Sequence, residues 1–304
     1  ITDHRDALIP SYAVSEQQFS QHIDWLKNNG FHFINVDQLI KAHQGKYKLP
    51  SKPVLITVDD GYQSFYQHVY PIVRAKNIPI VLAVVGSWLQ PKANQKVDFA
   101  GESIERNKIL SWGELKEMQQ SGLVEIASHS YHLHQGIIAN PQGNLEPAAI
   151  SRIYHPHSKS YESDADYQAR IYQDLKKNND LLKEHGIRSP RVMVWPYGRY
   201  NMQLIQTAKQ LGMPITITLD DGADHAKQSL QNMSRILVQG NMTTSALAQE
   251  IKSRELNFND NNRPQKIMHV DLDYIYDPNP EQQERNLGIL LDRINGMGVN
   301  TVYL

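Results

Sequence analysis

Over the first 240 residues, short β-branched runs alternate with amphipathic stretches, a rhythm that predicts βα units wound around a parallel sheet. Strands are expected at 54–58, 80–84, 124–127, 191–194, 214–218 and 235–238. The first of these, Val54 to Val58, is nearly all apolar, as in a strand covered on both faces. A helix from about residue 15 places Phe19, Ile23 and Leu26 on one side and ends at Gly30, a residue that accepts the left-handed cap conformation. Ser111 followed by Glu114 reads as a capping box, and Gly122 closes that helix. A longer helix is predicted over 164–185, before Gly186. Seven or so such units favour a barrel, or a distorted one, over an open sheet.

Two segments break the rhythm. Residues 129–163 carry no sustained period, and an irregular stretch of that length inside a compact domain is usually functional or mobile. The Asn and Asp cluster of 254–264, ending in Pro264, reads as a linker. Beyond it a strand at 266–274, a helix at 281–295 and a strand at 299–304 make a βαβ opening. The expected organisation is a domain over 1–256, a linker over 257–263 and the start of a second domain over 264–304.

Composition narrows the chemistry. The net charge is −1 with Lys and Arg scattered, so no basic stripe is available for a phosphate backbone and no nucleic-acid partner is expected. There is no cysteine, so any metal must be held by nitrogen and oxygen. No run approaches the roughly 18 apolar residues of a membrane span.

Three motifs fall just after predicted strands, where barrels build their active sites. Asp59-Asp60-Gly61-Tyr62 follows the 54–58 strand; read plainly it is a turn in which Asp60 caps the next helix. His129-Ser130-Tyr131-His132-Leu133-His134 follows the 124–127 strand, and its imidazoles together with one carboxylate form a donor set suited to Zn, Ni, Co or Fe(II). Trp195-Pro196-Tyr197-Gly198 follows the 191–194 strand. Its tight turn can aim the Tyr197 N–H into a cleft as an oxyanion donor, or can simply be a βα turn with aromatic packing. Asp220-Asp221-Gly222 could position Asp59 or sugar hydroxyls, although a polar turn is the plainer reading.

Together these motifs resemble the polysaccharide deacetylases of carbohydrate esterase family 4. With Gln63 to Tyr66, Val85-Gly86-Ser87-Trp88 and Met268 to Tyr274, the chain is most similar to the branch of that family found in biofilm systems. The resemblance implies an α/β fold, a distorted (β/α) barrel of the NodB-like type, followed by the truncated start of a second, glycoside-hydrolase-like (β/α) barrel. It implies metal-dependent partial N-deacetylation of poly-β-1,6-N-acetyl-D-glucosamine for export. One divalent metal ion would be held by Asp60, His129 and His134, with His132 as alternate ligand. Asp59 would be the general base and Tyr197 the oxyanion donor. Trp195, Pro196, Tyr62 and Trp88 would contact sugar.

The chain also departs from the family pattern. The chosen histidines are one residue further apart than is general, and Val194 stands where many members have an Arg orienting the catalytic Asp, which predicts looser control of Asp59. The His expected to protonate the leaving amine falls upstream of Ile1, with His4 as a substitute, so full activity is expected to need upstream residues. A monomeric protein in the periplasm, lipid-anchored to the outer membrane and serving an export porin, follows from the resemblance alone. Chitin oligomers or peptidoglycan are alternative substrates, and a non-catalytic glycan-binding module is the alternative of another class.

Overall fold

In the computed structural model, residues 12–99, 101–224, 229–240, 242–259, 266–299 and 301–303 are described, and the chain divides into two compact units, Ile1–Glu255 and Leu256–Leu304. The first unit is built on parallel strands. A short pair, β1 (His32–Phe33) and β2 (Pro53–Val54), precedes the main sheet of β3 (Ile56–Val58), β4 (Ile80–Val84), β5 (Val124–Ser128), β6 (Val192–Val194) and β7 (Ile215–Ile217). Their spatial order is β7-β6-β5-β4-β3, all parallel, so each strand lies beside its neighbour in the chain. Right-handed crossovers repeated in one direction curl such a sheet toward a barrel. The result is a curled half-barrel of five strands where seven or so were expected.

Alternation along β4 shows how both faces are filled. Ile80, Leu82 and Val84 join one apolar cluster with Val124 and Ile126, while Val81 and Ala83 join another with Ala127, Val192, Val194, Ile215 and Ile217. Removing one such side chain, as in Leu82→Ala, would cost about 2–5 kcal/mol through lost burial and the cavity left behind. The helix Asp164–Glu184 lays Tyr167, Ile171, Leu175 and Leu182 along its buried stripe, and Ser163 caps it by accepting the Asp166 N–H. Asn178 interrupts that stripe, fully buried, and its role lies at the site described below.

Several expected elements are redrawn. The 54–58 strand divides at Leu55, and its second half is the half-buried edge of the main sheet rather than a strand covered on both sides. No strand forms at 235–238; backbone pairing to β7 is confined to Met233, opposite Ile217, and Arg235 then turns its side chain back across the sheet. The aperiodic 129–163 stretch holds two small hairpins, Gly136–Ile138 with Leu145–Pro147 and Tyr154–His155 with Ser160–Tyr161. The helix Thr244–Asn259 runs into the stretch that composition marks as linker, and 260–265 lie outside the described residues. No helix among the described residues is long and apolar enough to cross a membrane.

The second unit pairs β8 (Ile267–His269) with β9 (Thr301–Tyr303) in parallel, with the helix Pro280–Met297 between them. Asn279 caps that helix and Gly298, at φ +62°, ends it. Asp271 and Asp273 form a short polar turn, the Asp271 carboxylate accepting the Asp273 N–H at 3.1 Å.

Candidate active site

The carboxyl ends of β3, β5 and β6 converge, and at each the chain turns through a left-handed backbone position: Asp60 (φ +79°), Ser130 (φ +71°) and Tyr197 (φ +58°). These are three of the six non-glycine residues with positive φ among the described residues. Such conformations each cost about 1–3 kcal/mol and persist where surrounding contacts over-determine them. Gly198, at φ +65°, completes the third turn; a Cβ there would lie 2.6 Å from the Leu219 Cβ, so only glycine fits.

Asp60, His129 and His134 place one ligand atom each within 4.8 Å of one another. The Nε2 atoms of both histidines lie 3.5 Å from Asp60 Oδ1. Ligands about 2.1 Å from a tetrahedral ion sit roughly 3.4 Å apart, so the spacing fits a shared divalent cation. The chemistry of the donors fits too. His129 Nδ1 donates to the Val194 carbonyl at 2.7 Å, which leaves Nε2 as the lone pair facing Asp60. Burial lowers the pKa of both imidazoles, keeping them neutral. Asp60 Oδ1 is buried with no hydrogen-bond partner, and burial pushes the Asp60 carboxyl up to about 6, with His129 opposing the rise and Asp59 adding to it. A buried acceptor left without a donor, beside the His129 lone pair and the His134 Nε2, is what a cation would satisfy.

Asp59 is set differently. Arg235 grips it with two parallel bonds, Nη1 to Oδ1 at 2.8 Å and Nη2 to Oδ2 at 2.5 Å, and Nη1 also reaches Thr57 Oγ1 at 2.9 Å. Burial works to raise the Asp59 pKa, but the guanidinium, helped by His129 and His134, outweighs it and holds the carboxyl below its usual range. Adjacent carboxylates thus have opposite tuning. The looser control of Asp59 expected from Val194 is therefore not found, because Arg235 supplies the orienting cation from a different segment. The Val194 side chain is buried in the core and its carbonyl serves His129.

Aromatic rings wall the His134 side of the site. Trp88 meets the His134 ring edge-on at 5.2 Å between centroids, Tyr197 lies at 4.5 Å and Phe99 at 6.4 Å. The Tyr62 phenol is held protonated by burial and by the Asp60 charge beside it. Trp88 is 2% exposed and Trp195 0%, so neither ring is open to a sugar. Both pack the interior, as does buried Pro196, which corrects their expected contact role; Tyr62 is half-buried and Tyr197 is exposed. The two later histidines are placed differently. His132 is exposed, its Nδ1 3.3 Å from Ser87 Oγ, and it stands outside the triad that holds His134.

Asp220 is exposed and accepts the Tyr200 hydroxyl at 2.5 Å in a polar turn, while Asp59 is bonded to Arg235 instead. His155 and His157 are exposed, and His4 lies outside the described residues. Arg235 and Phe99 carried no local signal. Arg235 stands 176 residues from Asp59 and looks from its neighbours like part of a strand.

Comparison with known proteins adds an independent line. A model of the polysaccharide deacetylase family matches residues 46–216, and one described as hypothetical glycosyl hydrolase family 13 matches residues 269–304. The poly-β-1,6-N-acetyl-D-glucosamine N-deacetylase of Escherichia coli K12 is 38% identical over 302 residues, covering 99% of this chain and 43% of that protein. The chain thus spans less than half the length of that curated relative. Among solved structures, a de-N-acetylase from Aggregatibacter actinomycetemcomitans is 37% identical with a TM-score of 0.74, covering 78% of this chain and 89% of that one. The BpsB deacetylase domain from Bordetella bronchiseptica is 43% identical with a TM-score of 0.68, covering 70% and 81%.

Proposed function

The chain belongs to the polysaccharide deacetylase family, and from that premise we propose that it removes N-acetyl groups from poly-β-1,6-N-acetyl-D-glucosamine by metal-assisted hydrolysis. The observation that carries the proposal is the convergence of Asp60, His129 and His134 beside a separately clamped Asp59. Asp60, His129 and His134 would hold a divalent cation, whose Lewis acidity would polarise the acetamide carbonyl and make water a better nucleophile.

The remaining work falls to the protein. His129 and His134 stay neutral and present Nε2, the first because its Nδ1–H is committed to Val194. Asp59 is ionised at neutral pH and, held by Arg235, accepts the proton of the attacking water through a carboxylate oxygen. The Tyr197 N–H, on the left-handed turn after β6, would be the donor to the developing oxyanion. The C–N bond then breaks, releasing acetate and a free amine that takes up a proton. On the family resemblance a histidine would donate that proton, and His4, outside the described residues, is the candidate substitute in this chain. Partial deacetylation, periplasmic residence and an export porin as partner belong to the same proposal, on resemblance alone.

The test is acetate release from β-1,6-linked and β-1,4-linked N-acetylglucosamine oligomers with Zn, Ni or Co added. Turnover on the β-1,6 series that vanishes in Asp59→Asn, with metal still bound, is expected. Equal turnover on both linkages would refute the substrate assignment. Saccharide binding without acetate release under every metal would refute the hydrolytic one.

A further inference from the structure

The loop from His129 to His134 belongs to neither helix nor strand, so its backbone donors need partners from elsewhere. His129 N–H reaches the Val84 carbonyl at 3.0 Å and Leu133 N–H reaches Ser130 Oγ at 3.0 Å. Between them the consecutive N–H groups of Tyr131 and His132 point the same way, and one carboxylate takes both. Asp174 Oδ1 accepts Tyr131 N–H at 2.9 Å, and Oδ2 accepts His132 N–H at 2.8 Å. Successive N–H groups of this kind form an anion-binding concavity, and a carboxylate is the side chain whose two oxygens can fill it.

Asp174 stands on the helix Asp164–Glu184, one turn before Asn178. Asn178, fully buried, donates to Ser128 Oγ at 2.7 Å at the foot of the same loop, and its Oδ1 sits where a Cβ on Gly86 would come within 2.2 Å. The helix therefore holds the loop at two heights, beneath His129 and midway to His134. Burial pushes the Asp174 carboxyl up to about 6, against its two N–H bonds and the nearby charges of Arg170 and Lys177. An ionised group kept there at a cost to folding points to a task beyond filling space.

We propose that Asp174 is a positioning residue: by holding Tyr131 N–H and His132 N–H it fixes the separation of the His129 and His134 imidazoles, and with it the affinity of the triad for its divalent ion. This rests on the metal-site reading given above. Outer-shell groups that orient ligands are typically worth 10–100-fold in metal affinity.

The experiment is equilibrium binding of Zn(II) or Co(II) to the 304-residue chain against a chelator of known affinity, well below the melting temperature of every variant. Asp174→Asn keeps the shape but offers an NH2 group to one of the two N–H donors. Its Kd is expected to rise 10–100-fold, with 1:1 stoichiometry retained at high metal. Leu182→Ala, which removes buried contacts from the same helix away from the loop, should lower the melting temperature and leave Kd unchanged. An unchanged Kd in Asp174→Asn, or an equal rise in Leu182→Ala, overturns the proposal. If Asp174→Asn does not fold, Asp174→Ser replaces it, with a weaker loss expected and wild-type affinity as the refuting result. Absence of 1:1 binding by the wild-type chain overturns the metal-site reading itself, and this inference with it.

Discussion

Replacing Arg235 with Met keeps the length of the side chain and removes its charge and both forked bonds to Asp59. The guanidinium and carboxylate are mostly shielded from water, at 15% and 22% side-chain exposure. At an effective dielectric near 20, unit charges about 4 Å apart attract by roughly 4 kcal/mol, and returning water offsets part of that in the variant. A net loss of about 2–3 kcal/mol in stabilisation of ionised Asp59 remains. Since about 1.4 kcal/mol corresponds to one pH unit, the acid limb of the pH–rate profile should move up by roughly one to two pH units. A carboxylate freed from its clamp also loses its aim, and kcat/KM at pH 7 should fall about 10–100-fold. The assay is acetate release from a β-1,6 oligomer between pH 4 and 8 at saturating metal. Arg235→Lys should fall between wild type and Arg235→Met, because it keeps charge without the fork. An acid limb that stays in place in Arg235→Met, with kcat/KM within threefold of wild type while Asp59→Asn is inactive, would refute this account of Asp59.

Three further expectations follow from the same geometry. His134→Ala should lose tight metal binding in the chelator competition, whereas His132→Ala should keep the wild-type affinity and stoichiometry; the reverse result would reassign the ligand. Gly198→Ala forces a Cβ against Leu219 at positive φ and should destabilise the first unit by about 2–4 kcal/mol, read as a lowered melting temperature, with an unshifted melt counting against the tight turn. Asp174 ionises at about 6 in the fold against 3.8 unfolded, burial outweighing its two N–H bonds and the charges of Arg170 and Lys177. A carboxyl raised in this way costs stability as pH climbs from about 4 through 6. The stability of metal-free wild type relative to Asp174→Asn should therefore decline by up to about 3 kcal/mol across that window and level off above it, and a flat difference would count against a buried ionised group.

Much of the site is legible from local pattern. Short β-branched apolar runs locate the main strands, and motifs immediately after them fall at their carboxyl ends, so Asp59, Asp60, His129 and Tyr197 are found without knowing the fold. The capping box at Ser111 and the glycine that closes the next turn are equally local, since each rests on residues three or four apart. Trp88 and Trp195 mislead for the converse reason. An aromatic residue beside a motif looks the same in sequence whether its ring faces solvent or the core, and burial is a property of the packed molecule.

What the linear chain settles about this protein is the type of its elements and the kinds of ligand it carries, because backbone periodicity, turn preference and donor chemistry act over a few residues. The curl of the sheet settles the rest. It carries Arg235 across to Asp59, brings the Val194 carbonyl under His129 and sets Asp174 against the His129–His134 loop, contacts spanning 176, 65 and about 40 residues. Charge and hydrogen bonding act through space rather than along the chain. The opposite tuning of neighbouring Asp59 and Asp60 could therefore be read only once those distant groups were in place.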